Sequence, residues 1–242
     1  MNQLNSFSEI EASRQELDRL NISSMHKNKF IRFLRERRIF PGVCMGHYLK
    51  SWDVYNAYKF IKDNLEFDAA ITDFGCYGSE ILPTLYKAGF RNLSGIDTDS
   101  GISKMPNSGE IEYIQSSYLK KNVIPENSRD LIVSISAIEH GYAPEPLIEV
   151  VSKSLKKGGY FFVTFDYWPE KIDTTGIMMF ERTWDILSDV DLDKLKGIAH
   201  NYGLEELKVN RACGHLNLDN PPIHWANRKY TFGNMIFRRG CD

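Results

Sequence analysis

The chain has 242 residues, 42% of them hydrophobic, and a formal net charge of −2, enough apolar material for one large α/β domain with a packed core. The near-balanced charge gives no general attraction for nucleic acid, and no apolar run is long enough to span a bilayer. Cys44, Cys76, Cys213 and Cys241 are far apart and form no C-x-x-C pair, which argues against a zinc ribbon or disulfide scaffold and suits a reducing cytoplasm.

Residues 1–50 read as a helical N-terminal cap and residues 51–242 as one α/β domain. The polar, acidic start "MNQLNSFSEIEASRQ" has the character of neither a signal peptide nor an anchor. "EIEASRQELDRL" and "HKNKFIRFLRERR" place apolar residues three and four apart, which predicts two helices. In the second, Arg32, Arg35, Arg37 and Arg38 alternate with Phe30, Ile31, Phe33 and Leu34, an amphipathic pattern with a solvated basic face rather than a phosphate site. Pro41, Gly42 and Gly46 in "FPGVCMGH" interrupt the pattern. The next helix, "SWDVYNAYKFIKDNL", is expected to be capped by Ser51 and to end near Asn64, with Val54, Ala57, Tyr58 and Ile61 on one face.

From Ala69 the text changes to short apolar runs, "AAITDFG", "LSGIDTD", "IEYIQSS", "DLIVSIS" and "GYFFVTFDY". Between them lie helical or short connecting stretches, the pattern of β-α-β units and a parallel sheet. After Tyr167 come a polar connection, the helix "DLDKLKGIAHNYG" with Gly203 as its C′ residue, the strand-like "LEELKVNRAC" and the β-rich "RKYTFGNMIFRR". Two closing strands without a helix between them predict an antiparallel hairpin at a sheet edge.

The octapeptide "DFGCYGSE", residues 73–80, joins the first of these strands to a helix. Such a junction is expected to offer unpaired backbone N–H groups and the positive end of a helix dipole. Tyr77 and Ser79 stand where a diphosphate-binding loop has its second and third glycines, so Gly75 and Gly78 point to a smaller ligand end, a carboxylate or a ribose. Asp97 closes the second strand about twenty residues on, the spacing at which an acidic side chain grips ribose hydroxyls.

"DFGCYGSEILPTLYKAGF", "GIDTDS", "IPENSRDLIVSISAIEHGYAPEPLIEVVSKSLKKGGYFFVTF" and "YTFGNMIFRR" together resemble the class I S-adenosylmethionine-dependent methyltransferases, over roughly residues 50 to 242. The resemblance implies a doubly wound, mostly parallel seven-stranded sheet with an antiparallel last strand, and S-adenosylmethionine as cofactor. It implies that Asp73, Gly75 and Gly78, with Cys76 and Tyr77 in the same loop, line the methionine side and that Asp97 holds the ribose. Ile96 or Thr98 would flank the adenine, Ser116 and Ser117 would lie at its edge, and Ser134 to Ser136 would pass beneath the sulfonium. The chain departs from the family pattern at Tyr77 and Ser79, and at position 116, where serine replaces the usual acidic residue.

Methyl transfer to a hydroxyl needs alignment and a general base. His140, in "IEH" after the fourth strand, is the first candidate, with a supporting role in the loop as its competing reading. Asp166, in "TFDYWPEK", has the same topological position as a base or metal ligand, and Tyr167 and Trp168 could stack on a sugar or planar acceptor. His215 and His224 lie in the insertion "CGHLNLDNPPIHWANRK", where this family tends to build its acceptor pocket, though their spacing is no metal signature. Tyr55 could cover the cofactor or pack in the core, and no metal is expected. "DNPPIHW" resembles the Asn-Pro-Pro-aromatic motif of nucleic-acid amino-methyltransferases only imperfectly, because Ile223 follows the prolines. The expected activity is O-methylation of a small polar acceptor, a sugar or glycan intermediate, in the cytoplasm. N-methylation, an NAD-dependent oxidoreductase or epimerase, and a non-catalytic S-adenosylmethionine-binding module are the alternatives.

Overall fold

The computed structural model describes residues 1–26, 28–37, 39, 42–120, 122–208, 218 and 220–241. It opens with a two-residue strand, β1 (Asn2–Gln3), and helix α1 (Phe7–Arg19), which buries Ile10, Ser13, Arg14 and Leu17 at helical spacing. Helix α2 (Lys29–Glu36) begins at Asn28, whose side chain accepts from the N–H groups of Phe30 and Ile31. Helix α3 (Ser51–Asn64) ends where expected, but Ser51 is its first helical residue rather than its cap. The Ser51 hydroxyl accepts instead from Arg14 Nε at 2.9 Å.

Next come β2 (Ile71–Phe74), α4 (Ile81–Lys87), β3 (Leu93–Asp97), β4 (Glu112–Gln115), β5 (Arg129–Ile135), α5 (Pro144–Ser154) and β6 (Leu155–Tyr167). A small hairpin, β7 (Met178–Met179) and β8 (Arg182–Thr183), precedes α6 (Asp189–Asn201). Ser188 and Asp191 form a capping box at the start of α6. Gly203, at φ +74°, follows its C-cap, the place that the sequence predicts for it. Strands β9 (Leu204–Glu206), β10 (Ile223–Trp225) and β11 (Arg228–Arg239) complete the chain.

The sheet runs β4-β3-β2-β5-β6-β11, parallel as far as β6, with β11 antiparallel to β6 through pairs such as Met235 with Val163. This is the doubly wound fold that the family resemblance implies, with the parallel β-α-β order that the residue pattern predicts. The closing region differs in detail. Strand β9 pairs antiparallel with β11, but it is three residues long, and most of "LEELKVNRAC" beyond it lies outside the described residues. Strand β11 is not an edge either, because β1 pairs with its Gly233 and Asn234. Strand β10 folds back on β11 through Ala226 and Asn227, both at positive φ, the conformation of a two-residue hairpin turn.

Strand periodicity sorts the core into two layers. Leu131, Val133 and Phe162 join Val54, Ala57 and Ile61 of α3 and Leu82 and Leu85 of α4 on one side of the sheet. Ile132, Phe161 and Phe165 join Leu147 and Val151 of α5 and Leu192 and Leu195 of α6 on the other. A third cluster ties Leu4, Ile10 and Trp52 to Trp184, Tyr230 and Phe232, so the N-terminal cap is packed onto the end of the sheet. No described helix is long and apolar enough to cross a membrane. Because β2 is flanked by β3 on one side and β5 on the other, the strand order reverses at its carboxyl end, the position where open α/β sheets form their ligand crevice.

Candidate active site

At that reversal β2 runs into Gly75, whose φ of +78° and close approach to β5 both exclude a side chain: an added Cβ would stand 2.4 Å from Ala137 Cβ. The loop then folds back on β3. Gly75 and Cys76 both donate to the Ile96 carbonyl, at 2.9 and 3.3 Å, and Ser79 donates to the Cys76 carbonyl at 3.0 Å. Tyr77 N–H donates to Asp97 Oδ2 at 3.0 Å, and Gly78 N–H faces Met105 Sδ at 3.5 Å. The expected row of free N–H groups is therefore not what the loop presents. Cys76 is also not a cofactor contact through its side chain, which is fully buried against Gly95. Burial first, and then the Asp73 and Asp97 carboxylates, push its thiol pKa up. The Tyr77 ring lies over Gly101, where an added Cβ would meet it at 2.7 Å, and this is how a bulky residue is accommodated in the loop.

Asp73 is fully buried, and neither carboxylate oxygen has a hydrogen-bonded donor among the described residues. Burial pushes its pKa well up; the Ser79 hydroxyl opposes this and the Asp97 charge adds to it. Asp97 is held by two N–H groups, that of Asp99 on Oδ1 at 2.9 Å and that of Tyr77 on Oδ2, leaving further acceptor capacity on each oxygen. Thr98 is exposed. Ser116 is fixed beside β3 by its N–H bond to the Asp97 carbonyl at 2.8 Å, and the Ser117 hydroxyl accepts from Leu119 N–H at 3.2 Å. Ser134 does not face the crevice freely, since its buried hydroxyl donates to the Phe74 carbonyl at 3.0 Å and stitches β5 to β2. Ser136 sits at φ +46° with its N–H on Thr164 Oγ1 at 3.0 Å.

The carboxyl ends of β5 and β6 bring a second set of groups together. His140 donates its backbone N–H to the carbonyl of Ala137 at 3.2 Å, three residues after the side chain that a Cβ on Gly75 would meet. Its ring meets Phe180 edge-on at 5.1 Å, and Nδ1 is buried without a hydrogen-bond partner among the described residues. Burial lowers its pKa to about 4; Asp166 opposes the shift, while Lys50 and Arg182 add to it, so the imidazole is neutral at neutral pH. Asp166 is engaged on both oxygens, by Lys50 Nζ at 3.0 Å and Trp184 Nε1 at 2.8 Å. That makes it an anchor for these groups rather than a free base or metal ligand. Lys50 Nζ also stands 3.6 Å from the Phe232 ring centroid.

Three residues that the sequence reading passed over belong to this cluster. Asp53 of α3 is fully buried, its pKa raised to about 7 by burial against the opposing effects of Lys50 and the Thr164 hydroxyl. Glu139 is fully buried with neither oxygen hydrogen-bonded among the described residues, and burial and Asp166 raise its pKa well up. Lys50 is the third. A signal was available for Asp53, which stands four and eight residues before Ala57 and Ile61 on the buried stripe of its helix. Lys50 carries no such pattern.

Other expected contacts lie elsewhere. The Tyr167 hydroxyl donates to Asp189 Oδ1 at 2.7 Å from a buried position, which takes it out of reach as a stacking platform. Trp168 is half-buried and its N–H bonds the Leu187 carbonyl. Tyr55 packs into the core near Arg19 of α1. His224 is exposed on β10, and His215 lies outside the described residues. The loop is instead tied to the N-terminal cap: Arg14 of α1 pairs with Glu80 at 2.5 Å, both buried, and also donates to Ser51 and Ser23. Among the described residues no group of three or more His, Cys, Asp or Glu side chains is arranged to hold a metal ion.

Residues 72–163 match a family model described as a methyltransferase domain. No curated protein matches the chain. Among solved structures it is similar to the Burkholderia thailandensis 1,6-didemethyltoxoflavin-N1-methyltransferase, bound to 1,6-didemethyltoxoflavin and S-adenosylhomocysteine, with a TM-score of 0.55 and 13% identity over 77% of this chain and 78% of that one. It is also similar to Haemonchus contortus phosphoethanolamine N-methyltransferase 2 in complex with S-adenosyl-L-methionine, with a TM-score of 0.58 and 12% identity over 88% of this chain and 57% of that one. The cyclase SpnF is a further likeness, with a TM-score of 0.56 and 12% identity over 88% of this chain and 93% of that one. At such identities the likenesses establish the fold, which hosts more than one chemistry. The match over residues 72–163, on a fold shared with methyltransferases, marks the chain as an enzyme. The crystallised complexes of its structural neighbours agree with S-adenosylmethionine as the cofactor.

Proposed function

We propose that this chain transfers a methyl group from S-adenosylmethionine to a hydroxyl of a small polar acceptor, a sugar or glycan intermediate being the first choice. The observation that carries the proposal is the neutral His140 imidazole, whose buried Nδ1 has no hydrogen-bond partner among the described residues and whose backbone N–H is bonded to Ala137, the residue that a Cβ on Gly75 would meet. The residues fit the cofactor on one clear test: Asp73 carries buried, unmatched carboxylate oxygens at the end of β2, suited to the ammonium of an aminoacyl group. Gly75 and Gly78 would line that end, Asp97 would hold the ribose, and Thr98, Ser116 and Ser117 would border the base. Cys76 would contribute only backbone, and Ser134 only support.

When bound, S-adenosylmethionine supplies a methyl group already activated by the sulfonium charge. The protein's remaining work is alignment and proton handling. The His140 imidazole accepts the proton that the acceptor hydroxyl loses, with the Phe180 ring packed edge-on against it. A loop whose N–H groups are already committed has little to offer a diphosphate, which disfavours the NAD reading. Calorimetry with S-adenosylmethionine, S-adenosylhomocysteine and NAD tests the cofactor, and tighter binding of NAD ends the proposal. Mass spectrometry over a panel of nucleotide sugars and glycans tests the acceptor. There His140→Ala is expected to lower turnover by about 10²–10⁴.

A further inference from the structure

The group of charges around Asp166 is unbalanced. Among the described residues Lys50 is the ammonium that acts on it, and Asp53, Glu139 and Asp166 are three carboxyl groups, buried to 0%, 0% and 5% exposure and acting on one another through space. Asp166 is engaged on both oxygens, by Lys50 and Trp184. Both oxygens of Glu139 are buried without a donor. An ionised carboxylate is not left in that state without a large cost, so the site either holds protons or awaits a positive group.

The surroundings already hold one ammonium in the manner such a ligand would require. Lys50 Nζ is bound by a carboxylate oxygen on one side and stands 3.6 Å from the face of Phe232 on the other. Its side chain is 25% exposed, whereas Asp53 and Glu139 are fully buried. The backbone joins the cluster to the methyl-transfer site, because Glu139 immediately precedes His140 and its carbonyl accepts from Asp185 N–H at 2.9 Å.

We propose that Glu139 is the recognition residue for an ammonium group carried by the methyl acceptor, with Asp53 and Asp166 supplying the surrounding negative potential. The acceptor class is thereby narrowed to amino sugars and amino alcohols. This rests on the methyltransferase reading above and deepens it. Charge-assisted pairing in a buried site also gives a reason for preferring an amine over its neutral isostere, since the neutral ligand leaves Glu139 unmatched.

Binding of matched pairs to the protein loaded with S-adenosylhomocysteine tests the proposal: glucosamine against glucose, and ethanolamine against ethylene glycol, by calorimetry and thermal shift. The amine member of at least one pair is expected to bind at least about tenfold more tightly than its partner. Glu139→Gln, nearly isosteric, is expected to remove that preference, and Asp53→Asn to reduce it. Equal response to amine and neutral members in the wild-type protein overturns the proposal, whatever the variants do. So does a preference that survives Glu139→Gln in a variant that still binds S-adenosylhomocysteine. Failure of the wild-type protein to bind S-adenosylhomocysteine, by contrast, overturns the methyltransferase reading itself and this proposal with it.

Discussion

Taking an ionisable side chain out of water disfavours its charged form, and His140 and Asp53 show the two consequences within one cluster. For His140 the charged form is the acid, so burial lowers the pKa from 6.5 to about 4. The unfolded chain then binds this proton more tightly, and His140 contributes stability that is present above pH 6.5 and is lost as pH falls toward 4. Its ionisation should accordingly leave no limb near pH 6.5 in the kcat profile, with loss of the free base only toward about pH 4. A pH–rate profile of wild type that breaks at 6.5 through His140 contradicts the neutral imidazole. For Asp53 the charged form is the base, and the pKa rises from 3.8 to about 7. Here the folded state holds the proton more tightly, so the stability that Asp53 contributes falls as pH rises through that window. Asp53→Asn is expected to stabilise the unliganded protein at pH 8, on the order of 1–3 kcal/mol, and to change little at pH 4. Denaturation at the two pH values checks this.

Between elements, the glycine loop is held less by its own sequence than by what leans on it. Arg14 of α1 reaches Glu80 at the start of α4 across 66 positions of chain and ties both to Ser51 at the start of α3. Removing one partner of a buried pair leaves the other uncompensated, so Arg14→Ala is expected to cost about 3–5 kcal/mol and to weaken S-adenosylhomocysteine binding. Replacing both, with Glu80→Gln added, should recover part of the stability. Equilibrium unfolding of the single and double variants measures the difference. This arrangement also marks what was legible locally. Gly203 closing α6 at positive φ is what the end of "DLDKLKGIAHNYG" predicts. The role of Ser51 was misread, because a serine at a helix start looks the same whether its hydroxyl caps the helix or accepts from a distant arginine.

Across the whole molecule the N-terminus and C-terminus close the same structure. Strand β1 pairs with β11, Leu4 donates its N–H to the Phe232 carbonyl at 2.9 Å, and its side chain is fully buried in the cluster that includes Trp184 and Tyr230. The aromatic cluster in turn backs Asp166 through Trp184. Leu4→Ala is therefore expected to cost about 2–5 kcal/mol and to lower methyl transfer together with stability. A variant with unchanged melting temperature shows that the N-terminal segment is not integral to the fold.

Hydrophobic periodicity predicts the succession of strands and helices and a parallel sheet, and motif spacing and the family resemblance assign Asp73, Asp97, His140 and Asp166 to the edge where its strands end. Each of these follows from residues close together in the chain, where the 2.0 and 3.6 residue periods are readable. Tertiary structure decided which polar groups meet. Lys50 and Asp166 are 116 positions apart, Ser134 spends its hydroxyl on a neighbouring strand, and the loop's N–H groups are consumed by β3. Pairing of this kind depends on through-space distance and on the cost of leaving a buried polar group unmatched, and neither quantity has a local signature in the order of the amino acids.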